Sequence, residues 1–200
     1  MAILDTDPTH GFIRGACPPV VVCPTNLLKT AVSAIAVGKK TVVSNNATPD
    51  IITGGVWSGT TSVASGSVLG SDNVLLAQNL GISPVIVCSA FSGWVNLDPY
   101  WDRFEVGAPS NNIIITSGRF YYSGGYASIS LPLSTWMYIM VTQAGTLVTL
   151  YVNGGWRAQV TLQAGAIKTG YVTGGSRIKD LLFFTTTPSL DVPTTLAGFA

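Results

Sequence analysis

The sequence has little charge. Charged residues make up 10% of its 200 residues and the formal net charge is +1, whereas roughly one quarter of an average globular domain is charged. No basic cluster is available to neutralise phosphates, which excludes an electrostatic nucleic-acid binder. The hydrophobic fraction of 47% excludes a disordered chain. Because a nearly neutral surface promotes association, we expect this surface to lie against other protein.

Long apolar runs and an export signal are also missing. The longest apolar stretches, residues 20–23 and 31–37, are shorter than the roughly 18 residues that a membrane span needs. Asp5, Asp7 and Pro8 stand near the start, where a signal peptide would carry a basic segment and then an apolar one. We therefore expect a protein that is made in the cytoplasm and is not inserted into a membrane.

Cysteine and histidine are scarce. The cysteines are Cys17, Cys23 and Cys88, and His10 is the single histidine. An odd number of cysteines argues against a closed disulfide framework, although Cys17 could pair with Cys23. A zinc site needs about four cysteine or histidine ligands. We therefore expect neither a metal site nor a cofactor.

The few acidic residues do not fit glycoside hydrolysis, in which one carboxyl group acts as acid and another as nucleophile or base. Glu105 is the single glutamate, and Asp102 would point to the opposite face of the same strand. Pro99 disfavours a regular strand that would bring Asp98 and Asp102 to one face. A Ser-His-Asp arrangement would need His10, which lies near the N-terminus. We predict a protein without catalytic activity.

What the sequence does contain is a series of short β-strands separated by turns. Runs rich in Val, Ile, Thr, Tyr and Trp alternate with Gly, Ser, Asn and Pro about every eight to twelve residues, which is typical of a sandwich or barrel. Asn153-Gly154 has the residues that a tight two-residue hairpin requires. The predicted strands span residues 55–61, 73–78, 85–92, 101–106, 112–116, 119–123, 127–131, 136–143, 147–152, 156–162 and 179–185.

The two ends of the chain differ from this pattern. Residues 1–26 are rich in proline and lack helical periodicity, which predicts an extended N-terminal arm. Residues 27–37 mix alanines with β-branched side chains, and we favour a hairpin of residues 31–37 with 40–44 over a helix. We assign residues 27–187 to one β-sandwich domain and residues 188–200 to a C-terminal tail.

The segment from Trp136 to Gly154 resembles the hairpin that marks concanavalin A-like, or laminin-G-like, jelly rolls. That family has a tryptophan, an alternating strand, a glycine turn and a second strand ending in Leu-Tyr-Val-Asn-Gly. The strand around Asp180 is similar to the closing strand of the family, with Lys179 in place of an aspartate. The matching residues are Trp136, Gly145, Leu150, Tyr151, Val152, Asn153, Gly154 and Asp180.

This resemblance implies an all-β fold, a concanavalin A-like jelly-roll sandwich of two antiparallel sheets. It implies no particular function, because lectins, glycosidases, adhesion modules and virion proteins share the fold.

One loop brings together aromatic, acidic and basic residues. Aromatic rings stack on the C–H faces of sugars, and carboxylates accept hydrogen bonds from hydroxyl groups. We favour the simpler interpretation of this loop, in which Trp101 is a core residue and Asp102 and Arg103 form an ordinary surface ion pair. Asn96, Asp98 and Asp102 supply too few oxygen ligands to support a calcium site. The candidate carbohydrate-binding residues are Trp94, Asn96, Asp98, Tyr100, Trp101, Asp102 and Arg103, with Tyr121 and Tyr122 as further candidates.

The sparse charge, the small side chains and the extended ends resemble those of tailed-bacteriophage virion proteins, in particular capsid decoration (cement) proteins and fibres. Our main hypothesis is a decoration protein that binds the major capsid protein or other virion subunits and stabilises their contacts. We expect it in the virion as a homo-oligomer, with a trimer favoured.

The N-terminal arm of such a protein would add to a neighbouring sheet edge, or fold back onto its own sandwich. The alternative hypothesis is a lectin-like carbohydrate-binding module, including one on a phage fibre, that uses the loop of residues 98–103.

Overall fold

The computed structural model describes residues 27, 30–35, 42–43, 47–50, 52–53, 55–61, 67–68, 75–108, 111–122, 125–161 and 167–188. The predicted arm, residues 1–26, lies outside these ranges, and so does the predicted tail apart from Pro188. The expectations for His10, Cys17 and Cys23 therefore also concern residues outside the description. Within the described ranges, no helical segment has both the length and the apolar character that crossing a bilayer requires.

The described part of the chain is built of β-strands, as its β-branched and aromatic residues predict. The strands are β1 (Ser33–Ile35), β2 (Val42–Val43), β3 (Ala47–Pro49), β4 (Val56–Thr61), β5 (Ser67–Val68), β6 (Leu75–Cys88), β7 (Ala90–Asn96), β8 (Phe104–Ala108), β9 (Asn111–Ile115), β10 (Arg119–Tyr122), β11 (Gly125–Ser128), β12 (Trp136–Ala144), β13 (Leu147–Val152), β14 (Gly155–Thr161), β15 (Ile167–Thr173) and β16 (Arg177–Phe184).

These strands form a sandwich of two antiparallel sheets, which confirms the predicted fold class. Sheet 1 has the order β1-β16-β7-β12-β13-β14. Sheet 2 has the order β3-β4-β6-β15-β8-β9-β10-β11. The long strand β6 belongs to both sheets, because Leu75 and Leu76 pair with Ile178 and Arg177 of sheet 1 while the rest of β6 pairs within sheet 2. Strands β2 and β5 pair with each other separately.

The core lies between the two sheets and follows from alternation along each strand. In β12 and β13, every second residue is buried toward sheet 2, and the opposite residues form the outer face of sheet 1. Sheet 2 contributes aromatic and aliphatic side chains to the same core. The central members of this core are Phe91, Val95, Met137, Ile139, Val141, Val148, Leu150 and Val152 from sheet 1, and Leu80, Phe104, Val106, Ile113, Ile115, Phe120 and Val172 from sheet 2.

Part of the outer face of sheet 1 is also covered. A helical turn at the start of the described chain, in which the N–H of Ala31 donates to the carbonyl of Leu27 at 3.0 Å, packs against this face. Leu27, Ala31 and Ala34 form a small apolar cluster with Ala90, Leu182 and Phe184. This apolar cluster covers one end of the outer face of sheet 1. Trp94 and Asn96 lie toward the other end, outside the cluster.

A buried carboxylate joins β1 to the loop before β4. Asp50 is 1% exposed. It accepts hydrogen bonds from the hydroxyl of Ser33, from the indole N–H of Trp57 at 3.1 Å, and from the backbone N–H groups of Ile52 and Thr53 at 3.0 Å each. These donors replace the water that the carboxylate would otherwise need.

Two expectations about strands were wrong, and several strands were not expected. The predicted hairpin of residues 31–37 with 40–44 does not form, because β1 pairs with β16 and β2 pairs with β5. The predicted strands at 73–78 and 85–92 are not separate units: β6 runs from Leu75 to Cys88, and the chain then bends at Ser89 before β7. Strands β3, β5 and β15 were not predicted.

The error at β6 has a local cause. Gly81 and Pro84 are turn residues in most sequences, but here they lie where the register of β6 shifts relative to β15. A bulge at such a place leaves one or more residues unpaired, so the missing N–H of proline is tolerated. The same residues that predict a turn therefore produce an irregularity in a continuous strand.

Candidate functional site

The candidate site begins in the loop of residues 97–103, which connects β7 to β8. Leu97 is fully buried, and its carbonyl accepts a hydrogen bond from the N–H of Ser134 at 2.9 Å. The loop therefore leaves the sandwich from a fixed point. The next residues turn outward.

Asp98 shapes the first half of the loop. Its Oδ1 atom accepts hydrogen bonds from the backbone N–H groups of Tyr100 and Trp101, at 2.8 Å each, an arrangement typical of aspartate in turns. The bonds from Trp101 and Tyr100 lower the pKa of Asp98, and the charge of Arg177 lowers it further. Asp98 is therefore ionised near neutral pH, and it holds both aromatic residues by their backbone.

Asp102 and Arg103 anchor the second half of the loop in different directions. Asp102 accepts hydrogen bonds from the N–H of Ser117, at 2.6 Å, and from the Ser117 hydroxyl. Arg103 forms an ion pair with the buried Glu105, with Nη2 at 2.6 Å and Nε at 2.7 Å from Oε2. The expected surface ion pair between Asp102 and Arg103 is therefore not formed: Asp102 binds Ser117 and Arg103 binds Glu105.

The backbone of Arg103 is also held by the segment before β16. The hydroxyl of Ser176 donates to the Arg103 carbonyl at 2.8 Å, and Arg103 forms an isolated parallel bridge with Gly175. Gly174 has a φ of +117°, and a Cβ at that position would lie 2.1 Å from the Arg103 oxygen. Only glycine fits there, since both the conformation and the close approach exclude a side chain.

These anchors present two aromatic rings to solvent. Tyr100 is 94% exposed and Trp101 is 64% exposed. The expectation that Trp101 belongs to the core was therefore wrong. The sequence around Trp101 does not distinguish the two cases, because its exposure depends on the turn that Asp98 makes and on contacts with Ser117 and Ser176, which are distant in the sequence.

The other two candidate residues, Trp94 and Asn96, lie on the outer face of sheet 1. The ring of Trp94 packs edge-on against Tyr138, with centroids 5.4 Å apart. Asn96 is aligned with Trp136 on one side and with Arg177 on the other. Since Arg177 also acts electrostatically on Asp98, the outer face continues into the base of the loop.

The further candidates on β10 divide between core and surface. Tyr122 is buried in the core, where its ring has no access to a ligand, so its assignment to the site was wrong. Burial raises the pKa of Tyr122 above its ordinary value. Tyr121 occupies the other face of β10 and is half-buried.

Residues of the jelly-roll signature shape the β12–β14 hairpins. Gly145 has a φ of 59° and forms the turn between β12 and β13, while Asn153 and Gly154 have φ of 51° and 78° and form the next turn, as predicted. Asn153 also accepts a hydrogen bond from the N–H of Tyr138 through its side chain, at 2.9 Å. Leu150 and Val152 are buried in the core, and Tyr151 is half-buried on the outer face.

Two signature residues lie near the candidate site. Trp136 was predicted only as a signature residue, but the Nζ atom of Lys179 lies 4.4 Å from its ring centroid. Asp180 has a φ of 46° at a bulge between β16 and β7. The alternation Trp136–Tyr138 could have indicated that these side chains share the outer face with Trp94.

No family model matches this sequence, and no curated protein matches it. Solved structures do resemble it. A Trypanosoma rangeli sialidase in complex with 2,3-difluorosialic acid aligns with a TM-score of 0.58 and 13% identity over 94% of this chain and 35% of the sialidase chain. The botulinum neurotoxin serotype D binding domain aligns with a TM-score of 0.50 and 13% identity over 82% of this chain and 50% of that chain.

These likenesses show the fold alone, a β-sandwich of jelly-roll type. This chain spans about a third of the sialidase and half of the toxin domain. At such low identity neither catalytic activity nor its absence transfers between proteins that share a fold, and the expected lack of catalysis stays a prediction.

Proposed function

We propose that this protein is a lectin-like carbohydrate-binding module whose site is centred on Tyr100 and Trp101. The observation that carries the proposal is the exposure of these two rings, 94% and 64%, on a loop whose backbone is held at both ends. Large exposed aromatic side chains on a fixed support are typical of binding sites. A rigid loop reduces the conformational entropy that ligand binding would otherwise remove.

The groups around the rings suit a sugar. Aromatic faces stack on sugar C–H groups. Asp98 offers a carboxylate, Arg103 is half exposed, and Arg177 is exposed beside Asn96, so acceptors and charged donors both surround the aromatic platform. The sandwich fold itself supports the proposal, because a sialidase in complex with 2,3-difluorosialic acid and a toxin binding domain have a similar fold.

The test is binding to a printed array of neutral and acidic oligosaccharides, with Trp101→Ala as the test variant and Trp156→Ala as its control. Trp156 is 62% exposed on β14, so the two substitutions remove equally accessible rings. We expect Trp101→Ala to lose array binding at unchanged melting temperature, and Trp156→Ala to retain it. Array binding that survives Trp101→Ala, or no array binding by the wild-type protein, would contradict the proposal.

We keep the capsid decoration role as a second proposal. The observation that favours it is the presence of exposed apolar side chains on β13 and β14, Leu147 at 42% and Trp156 at 62%, together with a net charge of +1. Both favour contact with other protein. Light scattering tests it: we expect a closed homo-oligomer such as a trimer, and co-sedimentation with phage capsids. A monomer that does not sediment with capsids would contradict it.

A further inference from the structure

Three buried polar side chains meet beneath the outer face of sheet 1. Ser92 lies on β7, Tyr138 on the neighbouring strand β12, and Asp180 on β16, which is the neighbour of β7 on its other side. Tyr138 is aligned with Trp94, and Trp94 with Lys179, while Asp180 occupies the bulge that follows Lys179. The three side chains therefore come from adjacent strands at the same level of the sheet.

Each of them has an unsatisfied polar atom. Ser92, Tyr138 and Asp180 are 1%, 3% and 6% exposed. Their Oγ, Oη and Oδ1 atoms have no hydrogen-bond partner in the part of the chain that the structure describes. Burial raises the pKa of Tyr138 to about 12, the neighbouring Ser92 hydroxyl lowers it by a smaller amount, and the charge of Asp180 raises it further.

Such an arrangement does not stabilise the fold. A buried polar group without a partner costs about 1–3 kcal/mol, and alanine in place of Ser92 or phenylalanine in place of Tyr138 would fill the same volume at lower cost. Buried unsatisfied groups in native proteins therefore call for an explanation such as a bound ligand or ion. Three of them side by side indicate a site that a ligand completes.

The surroundings define the chemistry of that ligand. Trp94 and Trp136 are half-buried on the same face, and the ring of Trp94 packs edge-on against Tyr138. Lys179 extends over Trp136, with its Nζ atom 4.4 Å from the ring centroid. Burial raises the pKa of Asp180, and the nearby ammonium group of Lys179 opposes that rise. Because this positive charge lies beside the polar groups, a cationic ligand would be repelled. A neutral ligand that carries several hydroxyl groups fits both the aromatic rings and the polar atoms.

We propose that Trp94, Trp136, Ser92, Tyr138 and Asp180 form a second saccharide subsite, which opens when the Lys179 side chain moves off the Trp136 ring. Sugar hydroxyl groups would then pair with the three unsatisfied atoms, and the indole rings would stack against the sugar. The ligand class rests on the proposed function, but the residues are different. Since Asn96 and Arg177 connect this face to the loop, one oligosaccharide can occupy both places.

The experiment uses the indole N–H signals of the five tryptophans in a two-dimensional ¹⁵N NMR spectrum of the full-length protein. Single Trp→Phe variants assign the signals. The probes are the methyl glycosides of glucose, galactose, mannose and N-acetylglucosamine, at millimolar concentrations. One spectrum reports both sites separately: Trp101 reports the loop, Trp94 and Trp136 report the second subsite, and Trp156 is the control.

We expect at least one glycoside to shift the Trp94 and Trp136 signals, also in the Trp101→Ala variant. Tyr138→Phe and Asp180→Asn, which keep the side-chain shapes, are each expected to weaken that response about tenfold without changing the Trp101 response. If no glycoside shifts the two signals, or if both variants respond as the wild type does, the subsite does not exist. A missing response at Trp101 alone would contradict the proposed loop site and leave the second subsite standing.

Discussion

Replacing Asp180 by asparagine should remove a large part of the pH dependence of stability. Burial raises the pKa of Asp180 from 3.8 to about 7, against an opposing effect of the Lys179 charge. The unfolded chain keeps the ordinary value, so the folded protein binds the Asp180 proton more tightly. This contribution to stability is complete below about pH 4 and decreases as the pH rises toward 7.

The difference of about three pH units corresponds to about 4 kcal/mol, at about 1.4 kcal/mol per unit. Asparagine has a similar shape and does not ionise, so the variant lacks this contribution to the slope. We would measure the free energy of unfolding in urea between about pH 4 and about pH 8 for both proteins. Subtracting the two curves cancels the other titrating groups. A difference that is constant over this range would refute the argument that Asp180 is buried without a compensating partner.

Three further substitutions test other parts of the structure. Asp50→Ala leaves the buried donors of Ser33 and Trp57 unpaired and should lower the free energy of unfolding by about 3 kcal/mol or more; a loss below about 1 kcal/mol would contradict the network. Gly174→Ala should lower the melting temperature and displace the loop, whereas Gly118→Ala, with no neighbour within 4 Å of its Cβ among the described residues, should not. Tyr138→Phe should leave stability unchanged or raise it, because it removes an unsatisfied hydroxyl; a clear loss in a urea titration would show that this hydroxyl is bonded.

Local sequence signals predicted much of the sandwich. Alternation placed Val148, Leu150 and Val152 on one face of β13, and these residues are buried in the core. Asn153-Gly154 predicted a two-residue turn, which the positive φ angles of both residues confirm. Such features depend on neighbours two to four residues apart, so a short segment of sequence contains the information that they need.

Features that depend on distant partners were not predictable in this way. The pairing of Ser33–Ile35 with β16 joins residues that are far apart in the sequence. The pairing of β6 with β15 turns Gly81 and Pro84 from turn signals into parts of a bulged strand. In both cases tertiary pairing overrides local propensity.

The same distinction applies to the candidate site. The aromatic and charged composition of the loop was visible in the sequence, and it identified Tyr100 and Trp101. Their exposure was not visible, because it follows from the contacts of Asp102 with Ser117 and of Arg103 with Ser176. The buried group around Asp180 was also missed, since a bulge, rather than regular alternation, brings that side chain beside Tyr138.

The most direct test of the account is the dissociation constant of the strongest array ligand, measured by titration calorimetry for the wild type and for Trp101→Ala. Loss of an aromatic platform that stacks on a sugar should weaken binding at least about tenfold, which is about 1.4 kcal/mol, while Trp156→Ala should bind as the wild type does. If the Trp101→Ala protein is folded and binds the ligand as tightly as the wild type, the loop is not the carbohydrate site.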